Sequence, residues 1–373
     1  MLTERLMQLI GRTAFRDATS DGAQSPGLAP EPIVNLEGLT FPGVKAEPAA
    51  LPLVERGRRL ADALRRKGKE PGTKVWSGAE PRIGVALGGG SARGLTHIPY
   101  IEALDELGLK PAVIAGTSIG ALIGAGWAAG MTGAELREHS YGVLGTTRTI
   151  MGRLWATHVP RFAGILHNGI PLQLDAARVV DSFVPDSFPA DFSELSIPLY
   201  AVATDFQSWH QVVFNSGALR PAIAASIAIP TLFKPVRYAG HLLVDGSVVN
   251  PLPLDQAAAG TDILIGIDVN GDAAEQPRQD YRPLDVWFGS AQIMMHQLIA
   301  NGMAAYPPDV YVRPHLSLFG AHEFWRVREI IAHVDADKDR FKRQVEASIE
   351  AFIASRQRNL SGAAGSAVRL HRR

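Results

Sequence analysis

The 373-residue chain contains no cysteine, which excludes disulfides, thiolate metal sites and cysteine nucleophiles. It has no surplus of charge: 37 Lys and Arg stand against 37 Asp and Glu. A nucleic-acid-binding domain leaves a basic excess, so this composition gives no support to that class. No metal-ligand constellation is present, and nothing in the sequence implies a cofactor. The opening segment does not read as a signal peptide. MLTERLMQLIGR carries Glu4, Arg5 and Arg12 where such a segment needs an unbroken apolar run, which predicts a cytoplasmic protein.

One stretch does run long without charge. Residues 112–131, AVIAGTSIGALIGAGWAAGM, match the length of a bilayer-spanning helix. Five glycines and a Gly-Thr-Ser-Ile-Gly core argue against that reading. The spacing predicts a buried strand at Val113–Ala115, a buried helix from Ile119 to Ala129, and Ser118 at the bend between them. Gly116 and Gly120 remove the side chains that would keep strand and helix apart. The serine hydroxyl is thereby pushed out beside the positive end of the following helix. That is the geometry of an activated nucleophile, although Gly-x-Ser-x-Gly alone is a moderate signal.

Upstream, Ile83–Leu87 reads as a buried parallel strand running into Gly88-Gly89-Gly90-Ser91-Ala92-Arg93-Gly94, with a helix after it. Successive bare N–H groups ahead of a helix form an anion-binding nest, suited to a phosphate or to the oxyanion of acyl transfer. The dinucleotide fingerprint fails because Arg93 stands where its third glycine belongs, and Gly-Lys-Ser/Thr is lacking for a P-loop. A cation in a helix's first turn opposes the dipole, so Arg93 calls for a specific partner, an acid or a developing negative charge. His97 reads as a packed histidine. Pro99 is compatible with a helix only if that helix starts just before it.

Downstream, 198–204 is strand-like and ends at Asp205, and 212–214 continues β character. Arg220 to Pro230 reads as a buried helix stopped by the proline. Val236–Val244 alternates about an Ala239-Gly240 turn, as a hairpin does, and its second strand delivers Asp245-Gly246-Ser247. An isolated Asp-Gly is usually only a turn. Asp255, Asp262 and Asp268 compete as acids, Asp268 most strongly because it ends the strand 263–267.

Taken together, GGGSARG at 88–94, GTSIG at 116–120, ASIAIPTLFKPV at 225–236 and VDGSVVNPLP at 244–253 resemble the patatin-like phospholipase family, its bacterial members in particular. The resemblance covers about residues 82–315. It implies a three-layer α/β/α domain with a mostly parallel sheet, in accord with the alternation of strands and helices. It implies a Ser–Asp dyad without histidine: Ser118 as nucleophile, Asp245 as base, and an oxyanion hole at Gly88, Gly89 and Gly90 shaped or assisted by Arg93. The substrate would be a lipid ester. Two departures stand out. Pro99 replaces a glycine of the family's helix, and Thr231 stands where the bacterial pattern has glycine or alanine.

Two other readings stay open. A conventional Ser-His-Asp esterase would draw on His296, His315, His322 or His333, and a noncatalytic lipid- or partner-binding module would keep the pocket without turnover. The rest of the chain is peripheral. Residues 1–81 read as an appendage of short helices and a proline-rich linker. Leu2, Leu6, Leu9 and Ile10 share a helical face, and 54–69 is helical and basic. Both offer peripheral contact to an anionic membrane, or a surface that packs on protein. Trp287–Ala304 reads as a helix of core or lid, 309–314 as a closing strand, and 316–358 as C-terminal helices packing on the domain. Residues 359–373 read as a flexible tail.

Overall fold

The structure, a computed structural model, describes residues 81–145, 173–185, 187–271 and 283–370, except for the side chains of 283–285 and 359–370. The appendage expected over 1–81 lies outside the described residues apart from Pro81. In chain order the described elements begin with β1 (Ile83–Leu87), α1 (His97–Glu106), β2 (Val113–Thr117), α2 (Ile119–Ala128) and α3 (Gly133–Leu144). Next come α4 (Ala176–Phe183), β3 (Leu199–Asp205), β4 (His210–Phe214), α5 (Leu219–Ser226), β5 (Val236–Tyr238) and β6 (His241–Asp245). They end with α6 (Leu254–Ala257), β7 (Ile263–Ile267), α7 (Pro283–Ala305), β8 (Val310–Val312), α8 (Val327–Asp335) and α9 (Lys338–Leu370).

The strands form one sheet in the order β5-β6-β3-β2-β1-β7-β8, with β4 on a second edge of β3. Pairings β3–β2, β2–β1, β1–β7 and β7–β8 are parallel. The β3–β4, β3–β6 and β5–β6 pairings are antiparallel. The sheet is therefore mixed and mostly parallel. Parallel strands must be covered on both faces, and alternate residues of β1 show how. Ile83, Val85 and Leu87 enter a large core with α1, α2, α5, α8 and α9, whereas Ala86 faces a smaller one with Leu252, Leu254 and Ile299 from the α6 and α7 side. These are the three layers that the sequence led us to expect.

Local chemistry explains several boundaries. A short 3-10 turn at Ser91–Thr96 precedes α1, which starts at His97. Pro99 thus sits in the first turn, where a helix has no use for its N–H. Thr132 and Glu135 form a reciprocal capping box on α3. At the chain's end α9 continues as helix to Leu370. No proline interrupts residues 338–370, and alanines keep helix propensity up around Gly362 and Gly365. Among the described residues, no helix is long and apolar enough to cross a membrane.

Candidate active site

The sheet itself brings the serine and the aspartate together. Along one edge of β3 the partner strand changes. β2 pairs with Leu199–Val202 and ends with Thr117 opposite Val202. β6 pairs with Ala203–Asp205, with Asp245 opposite Ala203. β4 occupies the other edge over Ala201–Asp205, so β2 and β6 lie end to end on the first. Ser118 and Asp245 are the residues on either side of this hand-over.

Ser118 turns the chain from β2 into α2 at φ 55, ψ −125, a conformation that costs a side-chain-bearing residue about 1–3 kcal/mol. The bend is tight enough to need Gly120. A Cβ there would lie 2.6 Å from the carbonyl carbon of Leu87 and 2.8 Å from the Gly88 oxygen. Ser118 Oγ donates to Asp245 Oδ2 at 2.5 Å. Asp245 is held in turn on three sides. Its N–H donates to the Ala228 carbonyl at 2.9 Å, its Oδ1 accepts the Ser247 N–H at 2.8 Å, and its carbonyl accepts Thr204 Oγ1 at 2.9 Å.

Ser118 and Asp245 are 4% and 3% exposed, and burial sets the electrostatics. Desolvation raises the Asp245 carboxyl to a pKa of about 6, while its hydrogen bonds from Ser118 and Ser247 pull the other way. At neutral pH the group is an ionised acceptor with a basicity suited to taking a hydroxyl proton.

The glycine loop lies directly against the serine: a Cβ on Gly89 would come 3.3 Å from Ser118 Cβ. Its N–H groups differ in how they are engaged. The Gly88 N–H donates to Ile267 O at 3.0 Å and the Gly89 N–H to Pro251 O at 2.9 Å. Serving an oxyanion as well would require Gly88 and Gly89 to share or exchange these bonds. Gly90 and Ser91 are half-buried, and no described acceptor takes their N–H groups. Ser91, at φ 56, was not singled out in the sequence. Arg93 donates from Nε to Phe319 O at 2.8 Å and from Nη1 to Asn270 O at 3.1 Å. It fastens the loop to the segments after β7 and β8.

His97 is fully buried and clamps the same loop, with Nε2 2.8 Å from the Gly88 oxygen. A carbonyl can only accept, so Nε2 carries the proton. Among the described residues Nδ1 has no partner, and burial depresses the ring's pKa to about 4. The ring is thus a neutral clamp, and the Gly88–Gly89 peptide is held at both its oxygen and its nitrogen.

The other candidates are placed elsewhere. Asp268 accepts Tyr311 Oη at 2.7 Å and the Asn270 N–H at 2.9 Å. Asp262 accepts the Arg82 N–H at 2.8 Å, and Asp255 accepts the Asn250 amide at 2.8 Å. Among the described residues no histidine is hydrogen-bonded to Ser118 or Asp245. His296 meets Gly271 O at 2.7 Å and His333 meets His315 O at 2.8 Å. No group of three His, Asp or Glu side chains among the described residues could hold a metal ion. A second contributor that went unnamed in the sequence, besides Ser91, is Ser226, whose Oγ accepts the Ser118 N–H at 2.9 Å.

A family model described as patatin-like phospholipase matches residues 85–258, a span that runs from β1 through the glycine loop, Ser118 and Asp245 to just past α6. Over those residues the chain is similar to a patatin-like phospholipase domain. An uncharacterized NTE family protein of Mycobacterium tuberculosis is 36% identical over 211 residues, 56% of this chain and 55% of that protein. The neuropathy target esterase sws of Drosophila melanogaster is 32% identical over 195 residues, 50% of this chain and 13% of that protein. The chain thus aligns with little more than half of the first and a small part of the second. Among solved structures, human GIVD cytosolic phospholipase A2 in complex with methyl gamma-linolenyl fluorophosphonate matches at 10% identity, covering 80% of this chain and 63% of that one with a TM-score of 0.41.

Proposed function

We propose that the chain is a serine acyl hydrolase of the patatin type, which cleaves acyl ester bonds of lipids, phospholipids and lysophospholipids among them. The observation that carries this reading is the 2.5 Å hydrogen bond from Ser118 Oγ to Asp245 Oδ2 at a strained strand-to-helix bend. The substrate class rests on the similarity to a patatin-like phospholipase domain and on relatives that include an esterase by name.

Free serine is a poor nucleophile and needs a base within hydrogen-bond reach. Asp245 Oδ2 takes the Ser118 proton as Oγ attacks the ester carbonyl. The negative charge that develops on the carbonyl oxygen is met by the unspent N–H groups of Gly90 and Ser91, each such donor being worth about 3 kcal/mol. Collapse breaks the ester C–O bond, and the leaving alkoxide takes the proton back from Asp245. Water, deprotonated by the same carboxylate, then attacks the acyl-enzyme, and Asp245 returns that proton to Ser118 Oγ as the bond to serine breaks and the fatty acid leaves. Gly88, Gly89, Arg93 and His97 serve this site by holding the loop, Gly116 and Gly120 by permitting the bend.

Reaction with a fluorophosphonate probe tests the reading. Wild type is expected to label covalently and Ser118→Ala not at all. A folded wild-type protein that does not label would reject catalysis and favour a binding module.

A further inference from the structure

The hydrogen bonds of β3 contain one irregular rung, and it falls at the hand-over between β2 and β6. The Ile114 N–H donates to Pro198 O at 2.9 Å. Parallel pairing advances by two residues on both strands, with Ile114 opposite Leu199 and Gly116 opposite Ala201. Continuing that count, the Ser118 N–H would donate to Val202 O. It does not, because the chain swings out at the elbow. The hydroxyl of Ser226 occupies the rung instead: it accepts the Ser118 N–H at 2.9 Å and donates to Val202 O at 2.6 Å.

Ser226 is the last residue of α5 and is wholly buried. Two residues on, the Ala228 carbonyl accepts the Asp245 N–H. One short segment, residues 226–228, therefore holds the backbone of the serine through a side chain and the backbone of the aspartate through a carbonyl. Gly246 closes the same corner, where a Cβ would lie 2.7 Å from the Val202 carbonyl carbon and 3.0 Å from Thr117 Cγ2.

We propose that Ser226 is a positioning residue for the acyl-transfer reaction: its hydroxyl replaces the missing rung between Ser118 and Val202, and with the Ala228 carbonyl it sets the distance between the nucleophile and its base. The inference rests on the serine acyl hydrolase reading. Its physical content is that a strained residue keeps its geometry only if its surroundings over-determine it. Without the hydroxyl, a buried N–H and a buried C=O lose their partner together. The elbow then relaxes toward Val202, and the 2.5 Å Ser118–Asp245 contact lengthens. Displacements of about 1 Å at such a site cost on the order of a hundredfold in rate.

The test compares Ser226→Ala, Ser226→Cys and Ser226→Thr in the full-length protein. Each is assayed well below its own melting temperature, with fluorophosphonate labelling and with hydrolysis of a short-chain p-nitrophenyl ester. Ser226→Ala is expected to lower the labelling rate and kcat by about ten- to a hundredfold with KM within about twofold. The rate limb governed by the Asp245 carboxyl is expected to move to higher pH, because a weaker hydrogen bond from Ser118 stabilises the carboxylate less. Threonine keeps the hydroxyl and is expected to restore most of the rate. Cysteine, whose thiol is a weak and longer bridge, is expected to fall between and serves as the readout if the alanine variant does not fold. A folded Ser226→Ala or Ser226→Cys protein with wild-type labelling, kcat and pH profile would overturn the proposal. A threonine variant as slow as the alanine variant would do so too.

Exchange of the Ser118 amide proton gives a readout independent of turnover. It is expected to be protected in wild type and to exchange at least tenfold faster in Ser226→Ala. If wild type does not label at all, the enzyme reading fails. The exchange measurement then decides alone whether Ser226 holds the elbow, and unchanged protection would end that idea as well.

Discussion

In the proposed mechanism Asp245 acts as a carboxylate, yet it is buried where ionisation is unfavourable. Its folded pKa of about 6 exceeds the roughly 3.9 of an unfolded aspartate. The group therefore favours the folded state fully below about pH 4, and that contribution is lost as pH rises through 6. At neutral pH the buried carboxylate costs on the order of 2–3 kcal/mol, since each tenfold change in proton affinity is worth about 1.4 kcal/mol. Asp245→Asn should then do two opposite things. It should lower esterase activity by about 10²–10⁴-fold, the usual size of a general-base contribution. It should also raise stability at pH 7.5, read as a higher denaturation midpoint. Wild-type activity should fall about tenfold per pH unit below 6. His97 has the reverse sign. Its folded pKa of about 4 lies below the usual 6.5, so its contribution is present above 6.5 and is lost as pH falls toward 4. Between pH 6 and 4 the two groups oppose each other in wild type. Asp245→Asn exposes the His97 slope alone, so that variant should lose stability on acidification from 6.5 to 4 more steeply than wild type does.

Thr231 is a second case at this scale. It adopts φ 72, a left-handed conformation that β-branched residues avoid. The bacterial pattern that the chain resembles has glycine or alanine here, and the backbone supplies the reason for the glycine. Thr231→Gly should stabilise the protein by about 1 kcal/mol, seen as a rise in Tm with the Ser118 labelling rate unchanged.

At the scale of elements, the site depends on how closely α2 approaches the end of β1. Gly120 rests on the Leu87 and Gly88 carbonyls, and a Cβ at Gly116 would lie 2.6 Å from the backbone N and Cα of Ala121. These obstacles are backbone atoms, which cannot rotate away as a side chain can. Gly120→Ala should therefore force α2 off the sheet, destabilise the fold by on the order of 3 kcal/mol, and abolish labelling of Ser118 in whatever fraction folds. Comparing the Tm of this variant with its labelled fraction checks both halves. These elements were legible in the sequence because their ends are punctuated: Pro198 precedes β3, Ala239-Gly240 joins β5 to β6, and α5 stops four residues before Pro230. The alternation that identifies a hairpin also aims Asp245. The sequence could not show how the glycine loop's donors are spent. Gly88 and Gly89 give their N–H groups to Ile267 and Pro251, carbonyls that reach the loop only after β7 and the turn beyond β6 have packed beside it. Ser226 was hidden for the same reason. A serine in an apolar helix looks like any small core residue until the rung it fills is seen.

At the scale of the whole molecule, the C-terminal helices belong to the frame that holds α1 and α3 in place. Arg137 on α3 grips Glu102 of α1, with Nε 2.6 Å from Oε1, and Asp335 at the end of α8, with Nη2 2.7 Å from Oδ1. Lys338 at the start of α9 reaches the same Glu102 at 3.1 Å. Beside this network Phe341 of α9 meets Tyr100 of α1 edge-on at 4.9 Å. Glu102 is only 9% exposed, so its charge depends on these cations. Breaking a buried pair from one side leaves the other charge uncompensated, which costs more than the pair contributes when intact. Arg137→Ala should lower stability by on the order of 2–4 kcal/mol, since Lys338 still covers part of the Glu102 charge. For a protein of this size that corresponds to a fall in Tm of about 3–5 °C. The network contacts none of Ser118, Asp245, Gly90 or Ser91. The fluorophosphonate labelling rate at low temperature is therefore expected to match wild type. If the rate fell in parallel with stability, α1 would be transmitting strain from the network to the loop through His97, which sits at its first position. A lowered Tm with an unchanged rate would mean that the frame holds the fold together while the hand-over on β3 holds the site.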